Sequence, residues 1–111
     1  MTDTNPIAQA SPPDEPAPLG PLFDLGQMVA TRGLLAHLET NPVTTVQALM
    51  RRHVHGDFGE LCAEDRQANL DAIKYGSRIL SAYTVAGEKV YVITEGEGVH
   101  RVTTALLSQE Y

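Results

Sequence analysis

Three runs rich in Val, Ile, Thr and Tyr constrain this chain most: Arg78 to Val85, Lys89 to Thr94 and Val99 to Leu107. Such residues suit a pleated, half-buried surface. Glycine-bearing turns separate the runs, Ala86-Gly87-Glu88 first and Glu95-Gly96-Glu97-Gly98 second. Short turns between β-type runs predict antiparallel hairpins, here a three-stranded meander. Everything before the meander reads as short helices, with Gln27 to Ala30 a short strand that joins the later sheet. The expectation is a single small α+β domain over residues 22–111: an N-terminal short strand, three short helices and the three-stranded antiparallel meander.

The helices have local signatures. Thr31 can cap a helix from Arg32 to about Glu39, with Leu34, Leu35 and Leu38 on one face, stopped by Asn41-Pro42. Thr44-Thr45-Val46-Gln47 fits a capping box between the Thr44 hydroxyl and the Gln47 amide. From there Val46, Leu49, Met50, His53 and Val54 form one stripe, Arg51 and Arg52 fall toward water, and Gly56 ends the helix. A third helix runs from about Ala63 to Tyr75. Glu64 and Asp65 in its first turn and Lys74 in its last suit the helix dipole, and Gly76 suits a left-handed cap.

Six of the seven prolines lie in residues 1–21, which carry Asp3, Asp14 and Glu15 and no basic residue. This segment reads as a disordered, partly polyproline-like tail, with a docking peptide for a proline-reading groove as the alternative. It lacks the basic start and apolar core of a secretory signal. No apolar run approaches the ~20 residues of a membrane span. The lone Cys62 has no partner for an internal disulfide, which fits a reducing cytoplasm, and it reads as a small apolar packer.

Charge argues against nucleic acid as the partner. The formal net charge is -6, and Arg51-Arg52 is the only adjacent basic pair among eight scattered basic residues. Dense carboxylate rows that would mimic DNA are also missing. A regulator with Arg51, Arg52 and Arg101 on one surface is the nucleic-acid alternative.

Chemistry has few footholds. In His53-Val54-His55-Gly56-Asp57 the two histidines lie about 200° apart on a helix and diverge, whereas zinc needs three or four converging ligands. An acid-base site would draw on His53, Asp57, His100 or Tyr83, with Arg51 or Arg52 nearby. No phosphate loop, dinucleotide fingerprint or nucleophile elbow is present, so no cofactor and no metal is expected. Phe58, in the tight turn Gly56-Asp57-Phe58-Gly59, either anchors that loop in the core or stands exposed beside Arg51 and Arg52 as an interface anchor. The core anchor is the preferred reading. Arg51, Arg52, His53, Asp57 and Phe58 are the candidate binding residues.

Several segments carry a resemblance. These are Leu25 to Thr31, Arg51-Arg52-His53 with Gly56 to Leu61, Glu64-Asp65-x-x-x-Asn69, Arg78 to Tyr83, Val92 to Glu95, Val102-Thr103-Thr104 and Glu110-Tyr111. Over residues 22–111 the chain resembles a family of short, largely uncharacterised bacterial proteins of plasmids and integrative elements. Phe58 stands where that family often has Trp, and the Gly96 to Arg101 loop differs from its usual link. Members are sometimes labelled a type I restriction-modification subunit. The chain has no glycine motif for S-adenosylmethionine, and Asn41-Pro42-Val43 lacks the aromatic of a methyltransferase motif. The resemblance implies a non-enzymatic mobile-element accessory protein that acts by protein binding and modulates host defence or plasmid maintenance. The alternatives are a small His-dependent hydrolase or nuclease, and a nucleic-acid-binding regulator.

Overall fold

The computed structural model describes residues 20–111. The tail expected over residues 1–21 therefore lies, through residue 19, outside the described residues. Four strands, β1 (Gln27–Ala30), β2 (Ile79–Val85), β3 (Glu88–Glu95) and β4 (Val102–Leu107), form one sheet in the order β1-β4-β3-β2. Three helices, α1 (Arg32–Thr40), α2 (Val46–Val54) and α3 (Ala63–Tyr75), stand between β1 and β2 in the chain. The α+β class is as expected. The three-stranded meander is not the whole sheet, because β1 pairs parallel with β4 and makes the sheet four-stranded and mixed. Without β1, the outer edge of β4 would keep a row of unpaired backbone groups. No helix among the described residues is long and apolar enough to cross a membrane.

The β2–β3 hairpin closes on two residues, since Val85 pairs with Glu88. Ala86 and Gly87 both take positive φ, 49° and 84°, the pattern of the tight turns whose twist matches a hairpin. Among the described residues Ala86 is the one non-glycine with positive φ. Its Cβ makes that conformation unfavourable by about 1 kcal/mol.

Alternation of period two sorts the sheet residues. Tyr83, Val85, Val90, Val92, Ala105 and Leu107 are buried together with Leu34, Leu38, Leu49 and Met50 of α1 and α2. A smaller cluster joins Phe58, Ala72 and Ile79, flanked by Phe23, Leu61 and Ile73. Phe58 is only 2% exposed, so it anchors its loop in the core.

The helices show three departures from expectation. The cap of α2 is Thr45 rather than Thr44: its hydroxyl accepts the Ala48 N–H at 3.0 Å, which puts Gln47 outside the box position. Leu35 does not join Leu34 and Leu38 in the core and is 49% exposed, because a nine-residue helix on a sheet buries a narrow stripe. Cys62, expected as a core packer, is exposed. It is the N-cap of α3, and the buried positions of that helix are Asn69 and Ala72. Gly76 takes the left-handed cap with φ 85°.

The start of α1 is held from the far end of the chain. Thr31 accepts the Leu34 N–H and donates to a Glu110 carboxylate oxygen at 2.6 Å, and that oxygen also accepts the Leu107 N–H at 2.9 Å. The Thr31 hydroxyl, then the Leu107 amide, holds the Glu110 carboxyl below its usual range. Any Cβ at Gly33 would collide with that carboxylate.

Two stability outcomes are expected. Ala86→Asn, which tolerates positive φ, raises the unfolding free energy by about 0.5–1 kcal/mol in urea titrations. Phe58→Ala lowers it by about 3–5 kcal/mol, with a sharp fall in melting temperature.

Candidate functional site

All five candidate binding residues lie on or beside the exit of α2, but they do not form one exposed patch. His53 is fully buried. Its Nδ1 lies 2.5 Å from the Ser81 hydroxyl on β2, and its Nε2 lies 2.9 Å from the Thr94 hydroxyl on β3. Thr94 in turn meets Thr103 on β4 at 2.6 Å, and Thr103 reaches the Leu25 carbonyl at 2.7 Å.

The proton directions in this chain follow from its last acceptor. A carbonyl accepts only, so Thr103 donates to Leu25 and must accept from Thr94. Thr94 has then used its hydrogen, so it accepts from Nε2–H. The neutral imidazole consequently accepts from Ser81 at Nδ1. Ser81, Thr94 and Thr103 are fully buried as well, and each reaches a partner. Phe23 and Phe58 set their rings edge-on against the imidazole at 5.1 and 6.3 Å.

Burial without a counter-charge pushes the His53 pKa down to about 4. The unfolded chain takes up this proton near pH 6.5, whereas the folded chain resists until about pH 4. His53's contribution is therefore fully present above pH 6.5 and is lost as pH falls through that interval, by up to about 3 kcal/mol.

Arg52 and Asp57 form an ion pair at 2.7 Å, with a second, longer contact at 3.4 Å. The guanidinium also lies 4.3 Å from the centre of the Tyr83 ring. Tyr83 donates its hydroxyl to the Asp57 carbonyl at 2.6 Å, and burial pushes its pKa up to about 12. The paired guanidinium holds the Asp57 carboxyl below its ordinary range, and the carboxylate raises Arg52. Asp57 further accepts the Gly59 N–H at 3.3 Å. Gly59 itself has φ 78°, and a Cβ there would run into the Ala82 carbonyl. These contacts shape the Gly56–Gly59 turn and lay it against β2.

The acid-base constellation is not assembled. His53 has both ring nitrogens engaged with Ser81 and Thr94, Asp57 faces Arg52, and His100 is exposed on the 3₁₀ turn Gly98–His100. Nor do Arg51, Arg52 and Arg101 act alike. Arg51 is exposed, while Arg101 donates to the Asp24 and Gly96 carbonyls at 2.5 and 3.2 Å.

Comparison of the chain with protein-family models, curated proteins and solved structures returns no match.

The two edges of the sheet differ in a way that the sequence reading missed. At β2 the outward backbone groups of Leu80 and Ala82 are covered, and Thr84 at the hairpin end is exposed. The Asn69 side-chain amide donates to the Leu80 carbonyl at 2.7 Å and accepts the Leu80 N–H at 3.1 Å, as a neighbouring strand would. Just beyond, Ala82 donates to the Phe58 carbonyl and accepts from the Glu60 N–H. At β1, Gln27 and Thr31 donate inward to Arg101 and Ala105. Alternation then turns the N–H and C=O of Met28 and Ala30 outward. Beside them opens a groove of about 720 Å³ between β1, α1 and the start of α2, lined by Met28, Ala30, Leu35, Leu38, Val46 and Met50 among others. Glu39 is its single charged lining residue. The available signal was a strand, Gln27-Met28-Val29-Ala30, with no charge and no proline to blunt its edge.

In urea unfolding followed from pH 7.5 to 4, the protein is expected to lose stability mainly below pH 6.5. His53→Gln should be less stable at neutral pH and show a flatter profile over that window. An unchanged slope in His53→Gln would assign the acid sensitivity to other groups.

Proposed function

We propose that this protein acts by binding another protein, through the β1 edge and the apolar groove beside it, and performs no catalysis of its own. One observation carries the reading. The β2 edge is covered at Leu80 by Asn69 and at Ala82 by the Phe58–Glu60 segment, whereas the β1 edge keeps the outward backbone groups of Met28 and Ala30 next to exposed Met28 and Leu35. An uncapped edge with an apolar groove offers main-chain hydrogen bonds for affinity and side-chain pockets for specificity. The mobile-element setting, with host defence or plasmid maintenance as the process served, rests on the resemblance given by residues 22–111. A hydrolase reading has no assembled acid-base pair to support it. A nucleic-acid reading is left with Arg51, since Arg52 and Arg101 are engaged within the chain.

Affinity capture with tagged protein tests this. The intact chain is expected to retain one stoichiometric protein, either its own untagged copy or another, and Met28→Lys should lose it while keeping its circular dichroism spectrum. Retention of nothing, or equal retention by Met28→Lys, would overturn the reading.

A further inference from the structure

We infer that the occupant of the β1 edge is a second copy of this chain, joined by antiparallel β1–β1 pairing about a two-fold axis through Val29. This rests on the β1 edge being the binding surface and specifies what binds there. In β1 the inward residues are Gln27 and Val29, and the outward ones are Met28 and Ala30. A two-fold axis at Val29 sets Met28 of one copy opposite Ala30 of the other. Both residues of each such pair carry outward N–H and C=O groups, so each pair exchanges two hydrogen bonds. All the outward groups of both strands find partners, and the result is one continuous eight-stranded sheet.

The side chains fit the same symmetry. Ala30 packs against the main core, so it and Met28 project on the helix-bearing face, and Val29 projects on the other. Opposed residues in an antiparallel pair hold their Cβ atoms about 5 Å apart. Met28 of the second copy thus arrives over the small Ala30 side chain, at the mouth of the groove bounded by Leu35, Leu38, Val46 and Met50. Methionine, unbranched and adaptable, suits such a space. The two-fold repeats this contact in the other direction, as an isologous interface requires.

Charge favours the same face. The described residues carry eight basic and eleven acidic side chains, so two copies bear a net charge of the same sign and gain from meeting where few charges lie. β1 has no charged residue, and the groove has Glu39 alone. The copies therefore meet where their charge is sparsest. Strand pairing over four residues falls well short of the roughly 1,200 Å² of a stable interface. The exposed Met28, Val29 and Leu35, at 56%, 37% and 49%, supply apolar area around it.

Light scattering coupled to size exclusion, run on the full chain over a concentration series, decides the matter. The expected mass is twice the 12.0 kDa of one chain. Met28→Lys, which would place a charge at each groove mouth, should run at the single-chain mass with an unchanged circular dichroism spectrum. Ala30→Pro removes an outward donor that has no partner within the described fold, and should do the same if the lysine variant folds poorly. A single-chain mass for the intact protein up to several hundred micromolar overturns the inference, as does a dimer that survives both substitutions. So does an intact monomer that dimerises once residues 1–19 are removed, which would give the edge to that segment. A monomer that still captures a host protein through Met28 would overturn self-pairing alone and leave the broader binding function standing.

Discussion

The structure depends on one buried histidine. His53 joins α2 to β2 through Ser81 and to β3 through Thr94, and the relay continues to Thr103 on β4 and to the Leu25 carbonyl that leads into β1. The four side chains of this relay, His53, Ser81, Thr94 and Thr103, are out of reach of water, and an unpaired one would cost about 1–3 kcal/mol. The relay is thus satisfied only when helix and strands stand in a single relative register. A slip of one residue in any strand would carry its hydroxyl to the opposite face. Apolar packing alone tolerates small displacements, but the relay does not.

The same helix exit sets the loop that follows. Arg52, one position before His53, pairs with Asp57 and covers the Tyr83 ring, while Tyr83 holds the Asp57 carbonyl. Phe58 then turns inward beside His53, and Gly59 permits the backbone approach that covers β2. Residues 51 to 59 therefore serve mainly to hold helix, turn and sheet edge together. Their density of charged and aromatic groups has a structural cause, and the open chemistry lies across the sheet at β1.

Much of the fold was legible because its signals are local. Gly87 and Gly96 mark the hairpins, Gly76 marks the end of α3, and the His53 stripe marks the buried side of α2. Where two neighbouring residues offered the same chemistry, as Thr44 and Thr45 do, the sequence could not choose between them. Leu35 misled because helical spacing does not tell how wide a stripe the sheet will cover. The parallel pairing of β1 with β4 was illegible as such, since Gln27 and Val102 are partners without any local link. The site was read less well. Ser81, Thr94 and Thr103 look like ordinary strand residues until His53 is laid across them, and the contrast between the two sheet edges exists only once strand order is known.

The pairing of Gln27 with Val102 spans 75 positions (102 minus 27), and it has a consequence for how the molecule is made. During synthesis β1 emerges long before β4, and loop closure over such a distance is slow compared with the formation of α1 or the β2–β3 hairpin. Glu110, which fastens the start of α1, is made later still. The nascent chain therefore carries an uncharged, unpaired strand through most of its translation, and on a polysome the neighbouring nascent chains carry the same strand. Until β4 is made each β1 has both edges free, so pairing between the β1 strands of neighbouring chains competes with pairing to β4.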